Sequence, residues 1–180
     1  MPDRRQLFTD RLELRAMHPG DAADLFPIFG DPDGYWYSPH DVHGGVEVTR
    51  AFCERAYSRW GTDNLSYWTA RRREDGRVIG AGGAQKHRSG TCWNLFYRLD
   101  LAEQGHGYAT ELGHAGIAAA HEVDAALPVI AWIVPINEPS IRVARRLGLT
   151  DQGLRLDLND GVERLVYADR DLAPDELRPL

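Results

Sequence analysis

Charged and apolar residues alternate along Arg11-Leu12-Glu13-Leu14-Arg15, the two-residue period of a strand with one buried face. After His18-Pro19-Gly20-Asp21 an Ala-, Leu- and Phe-rich run predicts a helix reaching about Phe29. Residues 30–45 mix Gly, Pro, Asp and aromatics, which is loop composition. Val48, Phe52, Tyr57 and Trp60 recur at roughly helical spacing and predict a second helix over about 46–60. The middle of the chain is β: residues 67–72 and 77–85 flank Glu74-Asp75-Gly76, a hairpin turn, and a third strand spans about 91–99. The period then changes, and Ala-rich residues 107–122, with Leu112, Ile117 and Ala120 in phase, predict a helix. A β-branched run at 129–134 bounded by prolines reads as a buried strand, and 139–147 as a helix stopped by Gly148. Residues 154–158 and 162–168 flank Asn159-Asp160-Gly161, a second hairpin.

Hairpins at both ends and one β-α-β unit between them predict a mixed α/β sheet rather than a doubly wound one. No repeat or Pro/Gly/Ser linker divides the 180 residues, so one domain over 1–180 is expected. Two cysteines exclude a disulfide framework and fit a reducing cytoplasm. No secretory leader follows Met1, and no apolar run approaches the roughly 20 residues that span a bilayer. A net charge of −6 argues against a nucleic-acid partner. Of the 21 basic residues one is lysine (Lys86) and the rest arginine; Arg71-Arg72-Arg73, next to Glu74-Asp75, reads as a solvated turn. The histidines lack metal-ligand spacing, so no metal is expected. Trp68, Trp93 and Trp132 fall in strands and read as core.

The chemistry concentrates in Gln104-Gly105-His106-Gly107-Tyr108-Ala109-Thr110-Glu111, between a strand and a helix. Two glycines at i and i+2 let consecutive N–H groups face one way, and the helix adds its unsatisfied first-turn donors. The segment is either an anion cradle or simply a tight turn. A Rossmann fingerprint fails on Thr110 and on position in the chain, and a P-loop fails for want of a lysine. The pyrophosphate of coenzyme A suits the amides better.

Taken in order, these segments resemble the GNAT N-acetyltransferases, and within them the RimJ/RimL-type branch. The similarity begins at Thr9-Asp10-Arg11-Leu12-Glu13-Leu14-Arg15 and runs through Asp31-Pro32-Asp33 and Arg77-Val78-Ile79-Gly80. It continues in Tyr97-Arg98-Leu99-Asp100, the glycine loop, and Asn137-Glu138-Pro139-Ser140. The resemblance implies the GNAT acyl-CoA N-acyltransferase fold, a mostly antiparallel mixed sheet of about seven strands with about four helices. It implies acetyl-CoA as cosubstrate, wedged between the strand at 95–99 and that at 129–134. Main-chain groups of Leu95, Phe96, Tyr97 and Leu99 would pair with the pantetheine arm. Amides of Gly105, His106, Gly107, Tyr108, Ala109 and Thr110 would hold the pyrophosphate. Asn137 would bond the arm and Ser140 would sit near the sulfur, although both also suit a helix start.

The implied reaction is direct acetyl transfer to an amine-bearing acceptor, a protein or peptide N-terminus first. A small-molecule amine such as an aminoglycoside or polyamine is the alternative, and a non-catalytic acyl-CoA-binding module the rival of another class. The chain would act as a monomer or homodimer. An α-amine with a pKa of about 7.7–8.0 is roughly 10–15% neutral at pH 7, so it asks little of a base. Three positions depart from the family: Asn94 stands where many relatives carry Glu, Ala144 where many GNAT enzymes outside the RimJ/RimL branch carry a tyrosine acid, and Ala102 where Arg or Gln often precedes the glycines. Ser140 is then the nearest candidate acid, and Asp41, Glu47 or a water the base. Glu111 reads as a helix residue favoured by the dipole. Tyr35, Trp36 and Tyr37 are candidates to line an acceptor pocket.

Overall fold

A computed structural model describes residues 3–157 and 160–173 of the chain. Strands β1 (Gln6–Phe8), β2 (Leu12–Ala16), β3 (Trp68–Arg72), β4 (Val78–Lys86), β5 (Trp93–Leu99), β6 (Val129–Ile133), β7 (Thr150–Leu156) and β8 (Glu163–Ala168) join in one sheet. Their order is β1-β2-β3-β4-β5-β6-β8-β7, and only β5 and β6 pair in parallel. The helices are α1 (Ala22–Phe29), α2 (Val46–Thr62), α3 (Tyr108–Asp124) and α4 (Glu138–Arg146).

The expected elements are present, with one addition. Strand β1 has only three residues and pairs Gln6 with Arg15 at the sheet edge; so short a segment carries no readable period. Leu158 and Asn159, placed by the sequence in the second hairpin, and the tail beyond 173 lie outside the described residues.

The sheet separates two apolar layers because neighbouring strand residues point to opposite faces. On one side Leu25 and Phe29 of α1 and Cys53 and Ala56 of α2 cluster with Ala81 of β4. On the other, Leu112 of α3 joins Trp93 and Leu95 of β5. Helix α3 lies unusually close to the sheet: a Cβ added at Gly116 would meet the Gly83 main chain at 3.1 Å. Glycines on both partners therefore set the depth of α3, and with it the position of the glycine loop at its start.

Arg72 is not a solvated turn residue. Its guanidinium donates to both carboxylate oxygens of buried Glu103 at 2.9 Å, and Arg77 pairs with Asp100 at 2.6 Å. Together they fasten the β3–β4 hairpin to the turn that precedes the glycine loop. Arg73 binds the Thr9 carbonyl at 2.7 Å.

Candidate active site

Strands β5 and β6 pair at Trp93↔Val129 and Asn94↔Ile130, and then part. Beyond that point β5 stays on β4, as far as Gly80↔Leu99, while β6 stays on β8 through Ile133↔Leu165. Each strand thus keeps one partner, and the facing edges open into a wedge inside the sheet. The main chain of β5 past Asn94 has a free edge there, the kind to which an extended ligand adds as a strand.

The glycine loop closes the wide end of the wedge. Gly105 and Gly107 have φ of 82° and 83°, a left-handed conformation that costs an L side chain about 1–2 kcal/mol. Among the described residues no acceptor takes the main-chain N–H of any residue from Gly105 to Thr110. The Thr110 hydroxyl is also buried without a partner. Six unspent amides, one orphaned hydroxyl and a helix N-terminus form a donor set suited to a pyrophosphate.

What fixes the loop lies at the other end of the chain. Glu111 accepts from Thr9 Oγ1 at 2.5 Å, Arg11 N at 2.8 Å and Arg11 Nε at 2.8 Å. Arg11 Nη1 in turn binds the His106 carbonyl at 2.8 Å, with its guanidinium 4.5 Å over the Tyr108 ring. Burial works against the Glu111 charge, but the bonds from Thr9 and Arg11 outweigh it and hold the carboxyl below its usual range. Glu111 is a staple between the β1–β2 turn and α3.

Two concavities use this frame. A groove of about 340 Å³ runs along Leu99, Gly105, Gly107, Tyr108, Ala109 and Thr110, with Trp36 on its rim and Arg142 and Arg146 of α4 beside it. A cavity of about 350 Å³ lies on Phe29, Tyr35, Asp41, His43, Phe52, Leu95, Phe96, Trp132 and Arg164. Tyr37, Tyr97, Asn137 and Ser140 line both. The expected site residues therefore divide. Leu95, Phe96 and Tyr35 face the cavity, Leu99 and Trp36 the groove, and His106 lines neither.

At the junction Asn137 caps α4, its side chain accepting from Ser140 N at 3.2 Å. Ser140 Oγ donates to Tyr97 OH at 3.1 Å, and Tyr97 OH donates to the Ser140 carbonyl at 3.1 Å. Burial pushes the Tyr97 phenol up to about 12, against the pull of the Ser140 bond. Tyr37 OH accepts from Arg98 Nη1 at 3.2 Å.

In the cavity, His43 stacks on Phe29 with centroids 5.0 Å apart, and its Nδ1 lies 2.9 Å from Thr49 Oγ1. Burial and then the Arg55 guanidinium lower its pKa below 6.5, so the imidazole is neutral at pH 7. Asp41 accepts from Ser38 Oγ at 2.6 Å. Glu47 is exposed on α2 beside Arg50 and lines neither space. Asn94 Nδ2 donates to Tyr67 OH at 2.8 Å, and Asn94 likewise lines neither space.

Trp68 and Trp93 are fully buried core, whereas Trp132 is half-buried, packing against the cluster of Ile130 and Val166 and also walling the cavity. Sequence reasoning gave no site role to His43, Arg98 or Arg164. His43 had one usable signal, its place in an aromatic, acidic loop two residues from Asp41. Among the described residues no cluster of three or more His, Cys, Asp or Glu could hold a metal, and no helix is long and apolar enough to cross a membrane.

Residues 11–150 match the family model of the acetyltransferase (GNAT) domain. The chain is 30% identical over 157 residues to the YkkB protein of Bacillus subtilis (strain 168), covering 83% of this chain and 87% of that protein. An acetyltransferase from Agrobacterium tumefaciens superposes with a TM-score of 0.75 at 24% identity, over 92% of this chain and 94% of its own. RimL, a ribosomal alpha-N-protein acetyltransferase solved with coenzyme A, superposes with a TM-score of 0.72 at 18% identity, over 91% and 96%. At these identities the structures establish the shared fold, while the domain match and the relative establish descent: the chain belongs to the GNAT acetyltransferase family.

Proposed function

We propose that this protein transfers the acetyl group of acetyl-CoA directly to a primary amine, a peptide N-terminus before a small molecule. The observation that carries the reading is the meeting of two concavities at Tyr37, Tyr97, Asn137 and Ser140, one ending in unspent amides and the other holding an acid and a neutral base. The amides from Gly105 to Thr110 hold the pyrophosphate, and Arg142 and Arg146 meet further phosphate charge. The open edge of β5, from Leu95 through Phe96 and Tyr97 to Leu99, pairs with the pantetheine arm. Acetyl-CoA supplies an activated thioester; the rest is done by the chain.

Asp41 attracts the acceptor's ammonium into the cavity, and His43 takes its proton. A base below 6.5 suffices because the α-amine itself titrates at about 7.7–8.0. Main-chain N–H groups of β5 around Phe96 and Tyr97 stabilise the oxyanion that forms on the acetyl carbonyl. Asn137 and Ser140 order the junction, with the Ser140 hydroxyl one of three there. RimL acts on a ribosomal protein's α-amine by its name, and its shared fold supports the N-terminal acceptor.

The test is thiol release from acetyl-CoA against N-terminal peptides, lysine peptides, polyamines and aminoglycosides, with calorimetry of acetyl-CoA on the same preparation. Release with N-terminal peptides is expected. Release only with polyamines or aminoglycosides would replace the acceptor, and tight binding without release would favour a non-catalytic acyl-CoA-binding protein.

A further inference from the structure

Three hydroxyls border the junction, and two are spent on each other. Ser140 Oγ gives its proton to Tyr97 OH, and Tyr97 OH gives its own to the Ser140 carbonyl. Tyr37 differs. Its oxygen accepts from Arg98 Nη1 and is hydrogen-bonded by the Asn137 side chain, whose Oδ1 takes the Ser140 N–H, and no hydrogen bond donated by the Tyr37 hydroxyl is found among the described residues.

Arg98 is the second observation. It is 5% exposed, with Cζ 3.5 Å from the Tyr35 ring centroid. Its Nε and Nη2 are buried without hydrogen-bond partners, and none of the ion pairs among the described residues includes it. A buried cation with no carboxylate is costly, and a neighbouring Asp or Glu would relieve it. With no ion-paired carboxylate, the guanidinium acts on the phenol it touches and outweighs the more distant Asp41 charge that opposes it there. Such a field favours negative charge on Tyr37 oxygen.

We propose that Tyr37 is the proton donor to the departing thiolate, and that Arg98 is a positioning residue that supports the phenolate left behind. This rests on the acetyltransferase reading above. As the amine nitrogen forms its bond to the acetyl carbon, the carbon–sulfur bond breaks and its electron pair stays on sulfur. The Tyr37 proton neutralises that sulfur, and the phenolate recovers a proton from solvent. The ammonium sheds two protons, one to His43 before attack and one through His43 to solvent as the carbon–nitrogen bond forms; the phenolate takes one back, so one proton is released for each ammonium acetylated. The groups facing the phenol are Arg98, Asp41, Tyr35 and Tyr97. Burial raises the Tyr37 phenol above its ordinary range, with Arg98 acting against it, so the proton is in place at neutral pH. A donor from the loop before α2 accounts for a buried Ala144 on α4, where the family resemblance leads one to look for a tyrosine.

Tyr37→Phe keeps the ring and removes the proton. Its kcat should fall about 100-fold, the lower end for general acid catalysis, with acetyl-CoA affinity by calorimetry unchanged. An unchanged kcat in an active background would overturn the proposal alone. A wild type that binds acetyl-CoA yet acetylates no amine would overturn the acetyltransferase reading, and this proposal with it. Fluorotyrosine at position 37, followed by fluorine NMR without acetyl-CoA, reports Arg98 independently of turnover. Arg98→Met should raise its ionisation midpoint by about one unit or more, and Arg98→Lys should restore it. A midpoint indifferent to Arg98→Met would remove Arg98 from the mechanism.

Discussion

With His43 as the proposed base, the pH behaviour of the site is specific. A base whose pKa lies below 6.5 is unprotonated at neutral pH and loses function only as acid is added. kcat should therefore rise with pH through a value below 6.5 and then level, while kcat/KM also reports the free amine. His43→Gln should lower kcat about 100-fold and abolish that acid limb. Retention of the limb would assign it to another group. Asp41→Asn removes the charge that attracts the ammonium and should raise KM for the acceptor more than it lowers kcat. These roles were barely legible from sequence. Tyr37, Arg98 and Asn137 come from a loop, a strand and a helix start far apart in the chain, and no local period records that they meet. The glycines and Asn137 were legible because positive φ and a helix cap impose residue types of their own.

The decisive pairings are α3 on β4 and the start of α3 on the β1–β2 turn. Gly116 against Gly83 leaves no room for a side chain, so Gly116→Val should cost about 1–3 kcal/mol by overpacking, read as a lowered thermal midpoint. Gly107→Val acts differently. The added Cβ meets little, 3.5 Å from Arg11 Nη2, yet the left-handed φ turns the amides out of line. Acetyl-CoA affinity should drop about tenfold or more for each 1.4 kcal/mol of misalignment, with the fold intact by circular dichroism; unaltered affinity would remove the loop from cofactor binding. Periodicity gave nearly every element because most are long and one-sided. It missed β1, too short to have a period, and it missed the place of Trp132 in the cavity wall, because a strand's inner face and a cavity wall share one pattern.

The whole molecule should be acid-sensitive through its staples. Glu111 and Glu13 are held below the ordinary glutamate value of 4.5 in the folded state. Their contribution is complete above that unfolded value and is lost as pH falls through the lower folded one. The thermal midpoint should decline below about pH 4.5, and Glu111→Gln should flatten the decline. Exposed Asp75 and Asp160, both near 2, belong to surface pairs of little weight. Hairpins and one crossover made a mixed sheet legible, but not its strand order, since nothing local says that β8 rather than β7 pairs with β6; a gap between β5 and β6 was expected only through the family resemblance.

That parting leaves the protein as two panels, β1 to β5 and β6-β8-β7, hinged at two residue pairs. A pantetheine arm lying along β5 would complete the sheet across the gap, so the cosubstrate would act as a missing strand as well as a reagent. Acetyl-CoA should then slow amide exchange in β8, which it need not touch, as well as in β5 and β6. Each turnover would end with the sheet losing a strand, which makes departure of coenzyme A a mechanical loosening of the fold.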